Sequence, residues 1–271
     1  MNRILCSTGT CIGRPNGRDF RLLEKCVREV RCDGWEFMMY DTWYGREEEI
    51  AAFLRALPAQ FPVMHCEKGV GERLSRNEEG DYEEALRLFE MNCRMAKAIG
   101  AEKMVLHLWN GVHSDGNIAH NIAAYAPLNA IAQEHGILLT VENVVCSHGD
   151  PLSHMKELAR AYPGIRFTFD TKMAQFHAQT DRMTAPENAW LWEHIAHMHV
   201  NDYKGGYMDW KSLRTLHIGE GDVDFESLFA FVRRAYKGDF TIEGTSFDQT
   251  GAIDFEKLNR TVRLLRALTE K

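Results

Sequence analysis

ILLTVEN, residues 137–143, is the stretch that decides the fold. In an extended chain Leu139, Val141 and Asn143 share one face, while Leu138, Thr140 and Glu142 share the other. The run is short and apolar and closes on an acid at its last position. The same form recurs in IRFTFDT (165–171), AHMHVND (196–202) and FTIEGTS (240–246), which deliver Asp170, His199 and Glu243. Three carboxylates and one imidazole therefore sit at the ends of separate strands. If those strands are parallel and close on themselves, their C-terminal ends share one cup, so residues far apart in sequence meet in space.

Working outward, further strands are expected at 3–7, 35–39, 61–66 and 103–108. Helical periodicity fills the gaps between strands. In DFRLLEKCVREVRC (19–32), Asp19 caps a helix whose apolar stripe is Leu22, Leu23, Cys26, Val27 and Val30. In the segment 82–100, Leu86, Phe89, Cys93 and Ala96 repeat the spacing and Gly100 supplies the stop. Phe255, Leu258, Val262 and Leu265 mark the last helix. Parallel neighbours need crossover connections, which these helices provide. Eight such repeats predict an α/β fold, a (β/α)8 TIM barrel, with residues 1–271 forming a single domain. A doubly wound nucleotide-binding sheet is disfavoured, because no GxGxxG follows the first strand and no GxxxxGK[ST] occurs. Residues 201–217, rich in Gly, Tyr and Trp, form the longest irregular stretch and are a candidate cover for the barrel mouth.

Composition narrows the partners. The 271 residues carry a net charge of −7, which offers no long-range attraction to nucleic acid or to anionic lipid. No apolar run approaches the ~20 residues of a membrane span. The N-terminal MNRILCSTGTCIG reads as a first strand and not as a signal peptide. The seven cysteines lack CxxC spacing, and Cys26 and Cys93 fall on apolar helix faces. A reducing cytoplasm is the expected location. Neither nucleic acid nor a membrane is expected as a partner, and assembly into a homo-oligomer is left open.

Hard oxygen donors joined by one imidazole suit Mn²⁺, Mg²⁺, Co²⁺ or Zn²⁺. Glu142, Asp170, His199 and Glu243 are accordingly the expected ligands of one divalent metal ion. His65 closes FPVMH and His107 closes KMVLH, on the third and fourth strands. They are expected to touch substrate or to hold a weak second metal. Glu36, in DGWEFMM, is another acid near a strand end, expected to orient its neighbours. Trp109, Tyr203 and Trp210 are candidates for covering the apolar faces of a polyol, and His177 and His217 for further substrate contacts. Lys68 and Lys204 are isolated candidates for a phosphate.

These motifs resemble the xylose isomerase-like barrel superfamily, which holds sugar and inositol-derivative isomerases and epimerases together with endonuclease IV. The likeness spans nearly the whole chain and rests on VEN at Glu142, FDT at Asp170, HVND at His199, HIGEGDVDF at 217–225 and IEG at Glu243. It implies that Glu142, Asp170, His199 and Glu243 hold one divalent metal, and that Glu142 and Glu243 also act as the catalytic proton donor and acceptor. The positions of His65 and His107 are zinc ligands in endonuclease IV. Other ligand positions of that enzyme are occupied here by Met173, Leu213 and Thr215, which counts against DNA repair.

The resulting expectation is a metal-dependent sugar or polyol isomerase or epimerase, acting on a ketose- or inosose-type substrate through a metal-stabilised enediolate. A dehydratase of an inosose-like substrate would share the first proton step and expel water. An endonuclease IV-like metal hydrolase would need metal-activated water. A sugar-binding protein without catalysis would exchange no substrate proton.

Overall fold

A computed structural model describes residues 2–271. Its eight strands are β1 (Ile4–Ser7), β2 (Gly34–Met38), β3 (Val63–His65), β4 (Lys103–Leu106), β5 (Leu138–Glu142), β6 (Arg166–Asp170), β7 (Ile195–Val200) and β8 (Phe240–Ile242). They close into a barrel in sequence order, and every neighbouring pair, including β8 with β1, is parallel. All eight expected strands are present, and their bounds shift by no more than two residues. His107 and Glu243 lie one residue beyond their strands.

Eleven helices surround the barrel: α1 (Leu23–Glu29), α2 (Glu47–Ala56), α3 (Gly69–Arg76), α4 (Asp81–Ile99), α5 (Ile118–Glu134), α6 (Pro151–Ala161), α7 (Thr171–Phe176), α8 (Thr180–Thr184), α9 (Ala189–His194), α10 (Phe225–Ala235) and α11 (Phe255–Glu270). Local chemistry sets their ends. The Asp19 carboxylate accepts from the Arg21 amide at the 3-10 turn that leads into α1. Gly100 ends α4 with φ of +78°, a left-handed conformation that costs glycine little. No helix among the described residues is long and apolar enough to cross a membrane.

The outward faces of the strands supply the main core. Cys6, Phe37, Met64, Met104, Val141, Phe169, Met198 and Ile242 are buried against the helices in one continuous cluster. The inward faces are mostly polar. Leu5, Val63 and Val105 form a small separate apolar plug inside the barrel. Beside it Thr140 Oγ1 and Thr168 Oγ1 hydrogen-bond at 2.7 Å, and Thr140 also donates to Met104 O. Alternation therefore sends Thr140 and Glu142 to the interior together, as the 137–143 pattern predicts.

Register fixes the heights of the functional side chains. The β6–β7 pairing slips once: Phe167 faces Ile195, but Thr168 faces His197 and Asp170 faces His199. The slip puts His199 level with Asp170 at the top of the barrel. Residues 201–217 form an irregular loop pinned by an antiparallel bridge between Asp202 and Leu216.

Candidate active site

The structure brings Glu142, Asp170, His199 and Glu243 together. One potential ligand atom from each lies within 4.8 Å of the others. Glu142 and His199 are buried, Asp170 is fully so, and the Glu243 side chain keeps 11% exposure toward the mouth. His199 Nδ1 is 3.0 Å from Glu142 Oε1 and 3.5 Å from Glu243 Oε1.

Neighbouring polar groups hold each member in place. The Asn143 side chain accepts from the Asp170 amide at 2.6 Å and donates to the Asp170 carbonyl, which ties the ends of β5 and β6. Asp170 Oδ1 caps α7 by accepting from the Met173 amide, leaving Oδ2 to face the cluster. Asn201 Nδ2 donates to both Asp170 Oδ2 (3.1 Å) and Glu243 Oε2 (2.8 Å), clamping two carboxylates that would otherwise repel. Asp202 accepts from the amides of Tyr203, Gly219, Gly221 and Val223. A Cβ on Gly221 would sit 2.3 Å from the Tyr203 carbonyl, so glycine is required there. The ND of HVND thus clamps the cluster and staples the GEG turn. Glu220 takes part in that turn, pairing with Lys257 at 2.9 Å and accepting from the His217 amide.

Glu36 lies beneath the cluster with no exposure. Its Oε2 accepts from His199 Nε2 (3.1 Å), His197 Nε2 (2.9 Å) and Thr241 Oγ1 (3.0 Å). Burial opposes ionisation, yet the rings of His199 and His197 hold this carboxyl well below the usual range. Burial pushes His197 down to about 4, so near neutrality it is a neutral donor. An anionic Glu36 taking Nε2–H of His199 fixes the ring so that Nδ1 faces Glu142 and Glu243. Carboxylates play this orienting role behind metal-bound imidazoles.

The donor set fits a divalent cation. Burial pushes Asp170 up to about 7; Lys172 opposes this, and Glu142 and Glu243 reinforce it. His199 is raised well above its usual value: burial resists, but Glu243, Glu36 and Glu142 surround it. The Asp170 carboxyl and the His199 ring thus hold protons that a bound cation would displace.

A cavity of about 150 Å³ opens over the cluster. Ser7, Met38, Lys68, His107, Glu142, Lys172, Met173, Thr215, Glu243 and Thr245 are among its lining residues. His65 and His107 both approach Glu142 Oε2, with Nε2 at 3.5 Å and 2.6 Å. Their Nδ1 atoms face the Cys66 carbonyl and Asn110 Oδ1, which can only accept, so each ring carries its proton on Nδ1. Burial lowers His107 to about 4, consistent with a neutral ring. Two ring nitrogens and a carboxylate oxygen therefore converge, and Glu142 Oε2 has no hydrogen bond of good direction.

Three expected substrate contacts lie off the cavity. Trp109 is completely buried, donates from Nε1 to Val144 O, and packs edge-on against His154. His177 accepts the Cys146 amide on Nε2 and is 3% exposed. His217 spends both ring nitrogens on Thr261, Thr245 and Ser246. These residues buttress the loops and do not face the cavity. Tyr203 is buried as well, its hydroxyl donating to Gly206 O, while Trp210 stays 47% exposed and packs on Phe176. Lys204 is exposed and absent from the cavity wall. Lys172, Ser7, Thr215 and Thr245, which line the cavity, were not singled out as site residues from sequence. For Lys172 the available signal was its place two residues after Asp170, in the first turn of a helix that starts at the barrel mouth.

Comparison with known proteins agrees with this architecture. A search of curated protein sequences gave no significant match. Among solved structures, a D-tagatose 3-epimerase-like protein is similar at 18% identity and a TM-score of 0.70, over 99% of this chain and 97% of that one. L-ribulose 3-epimerase is similar at 16% identity and a TM-score of 0.72, over 99% and 94%. D-allulose 3-epimerase from Methylomonas sp., solved in complex with D-allulose, is similar at 14% identity and a TM-score of 0.71, over 98% and 96%. At these identities the likeness establishes the fold. The sequence profile of the xylose isomerase-like TIM barrel family matches residues 26–268, and the chain belongs to that family.

Proposed function

We propose that this protein is a metal-dependent isomerase or epimerase of a ketose- or inosose-type sugar or polyol, working by proton transfer beside a carbonyl. One observation carries the reading. Glu142 and Glu243, from the ends of β5 and β8, line one cavity and also offer ligand atoms to the cluster completed by Asp170 and His199. The similar folds named as sugar epimerases add support.

A bound divalent ion (Mn²⁺, Mg²⁺, Co²⁺ or Zn²⁺) held by those four residues would polarise the substrate carbonyl and make the neighbouring carbon-bound proton more acidic. One of the two glutamates removes that proton. The other returns a proton, to the opposite face of the same carbon in epimerisation or to the former carbonyl carbon in isomerisation. Asn201 fixes the orientation of Glu243 during this exchange. Ser7 and Thr245 also line the cavity and offer hydroxyls for substrate oxygens that gain negative charge. Deuterium incorporation at the carbon next to the carbonyl, measured in D₂O with each metal over a panel of ketoses and inososes, tests the reading. Conversion of a substrate with direct hydrogen transfer and no solvent exchange would refute it.

A two-metal hydrolase is the second reading, favoured by the convergence of His65 Nε2 and His107 Nε2 on Glu142 Oε2. Two tightly bound ions per chain, with hydrolysis and no proton exchange, would select it. A nicking assay on duplex carrying an abasic site covers the nuclease form.

A further inference from the structure

Lys172 is the one lysine or arginine that is buried among the described residues, at 7% exposure. It stands in the first turn of α7, two residues after the Asp170 that ends β6. Its Nζ donates one hydrogen bond, to Thr215 Oγ1 at 3.1 Å, and forms no ion pair. Other lysines and arginines behave differently where they are partly buried. Lys103 pairs with Asp239, and Arg76 pairs with Asp81. A buried ammonium with a single neutral partner is costly unless an anion reaches it. Two of its three N–H donors are uncommitted, and the side chain lines the cavity beside Glu142 and Glu243.

A second lysine borders the same space. Lys68 lines the cavity, is exposed, and also forms no ion pair, so it faces the cavity from the solvent side. Thr215, Thr245 and Ser7 add hydroxyls to the wall. Two cations and three hydroxyls share a cavity whose floor is a carboxylate cluster suited to a metal. The floor accounts for the carbonyl end of a substrate. It does not account for Lys172.

We propose that the substrate carries an anionic group, a carboxylate or a phosphate ester, which binds Lys172 Nζ together with the Thr215 hydroxyl while Lys68 closes over it. The inference rests on the isomerase or epimerase reading and narrows its substrate class to sugar acids or sugar phosphates. The ammonium recognises the anion by charge-assisted hydrogen bonds, and the two N–H donors left free on Nζ match two anion oxygens. The competing account is that Lys172 merely balances the metal-binding carboxylates. That account predicts equal losses for neutral and anionic compounds when the lysine is removed.

The test uses three compounds that differ at one end: D-fructose, D-fructuronate and D-fructose 6-phosphate. Solvent deuterium exchange and calorimetric affinity are measured for Mn²⁺-loaded wild type, K172M, K172R and T215V, with metal content and melting temperature recorded for each. Wild type should favour one anionic compound over D-fructose by at least about tenfold, in kcat/KM or in affinity. Which of the two is favoured identifies carboxylate or phosphate. K172M should bring that ratio to about one, and K172R and T215V should retain part of it. Exchange of all three at similar rates, or a preference that survives in K172M, overturns the inference and leaves the proton-transfer reading standing. Lys172-dependent binding of an anionic compound with no exchange in any of them does the reverse. Failure of both anionic compounds to bind better than D-fructose overturns the inference. If K172M fails to fold, the K172R and T215V ratios decide.

Discussion

The two ends of this barrel handle buried charge in opposite ways. At the N-terminal end Arg3 grips Asp239 through two hydrogen bonds of 2.9 and 2.8 Å, and Lys103 adds a contact of 3.4 Å to the same carboxylate. Lys103 also donates to the Ala196 carbonyl. Positive and negative charges cancel there. At the C-terminal end three carboxylates converge around His199, and the nearby Lys172 pairs with none of them. Between the ends lie the Leu5, Val63 and Val105 plug and the Thr140–Thr168 hydrogen bond. The N-terminal arrangement holds the barrel closed. The C-terminal one gathers like charges that a bound cation would offset, and perturbed pKa values of this kind cluster at functional sites.

The largest expected effect comes from altering the proposed proton-transfer pair. Glu142→Gln and Glu243→Gln should each lower solvent exchange by about 10²–10⁴-fold. Each should retain more metal than the corresponding alanine variant, because the amide oxygen can still coordinate. Stopped-time exchange assays with metal analysis check this. Asp170→Ala and His199→Ala should instead lose the metal itself, and unchanged metal content in both would dismantle the tetrad. His107→Ala should slow turnover with one metal still bound.

One layer further down, Glu36→Gln keeps the shape and removes the charge that orients His199. The expected loss is about 10–100-fold in metal affinity, read by competition with a chelator. An unchanged affinity would mean that the Glu36–His199 contact is structural alone.

The charges gathered at the top also predict a pH dependence. Asp170 is raised to about 7 by burial, with Lys172 opposing and Glu142 and Glu243 adding to the rise, and His199 is raised by its carboxylate neighbours against burial. Below pH 7 the cation competes with the Asp170 proton, so affinity falls as pH falls. One competing proton gives about a tenfold loss per pH unit, and a second at His199 steepens it. Calorimetry in buffers of different ionisation enthalpy counts the protons released. No proton release at pH 6 would contradict both assignments.

Most of the fold is legible because the strands are short apolar runs with a polar residue at or next to the end that reaches the barrel mouth. Each tetrad residue lies within one residue of its strand end. Loops were harder to read. The segment after His107 suggested that Trp109 faces the mouth, but its indole turns inward to the Val144 carbonyl. His177 and His217 lie close to the site in sequence, but His177 Nε2 accepts the Cys146 amide and His217 spends both ring nitrogens on loop backbone and hydroxyls. Alternation fixes the direction of a side chain along a strand and stops working one or two residues past its end. Lys172 escaped notice for a related reason, since a lysine in a helix usually faces water. Its burial follows from its place in the first turn of α7, where Nζ reaches Thr215 Oγ1.

The smallest effect belongs to the other end of the barrel. Arg3 is 35% exposed, and its removal leaves Asp239 in contact with Lys103. Solvent screens a pair exposed to this degree, so Arg3→Ala should cost only about 1 kcal/mol of stability. In a chain of this length that corresponds to a fall in melting temperature of about 2–4 °C. The metal cluster shares no partner with Arg3, so metal affinity and exchange should stay at wild-type values. The double variant with Glu36→Gln should show each loss at its own end, the stability change from Arg3 and the affinity change from Glu36, with no coupling beyond about 0.5 kcal/mol. Coupling larger than that would mean that the N-terminal pairing sets the geometry of the C-terminal cluster through the strands. The two ends would then be one electrostatic unit.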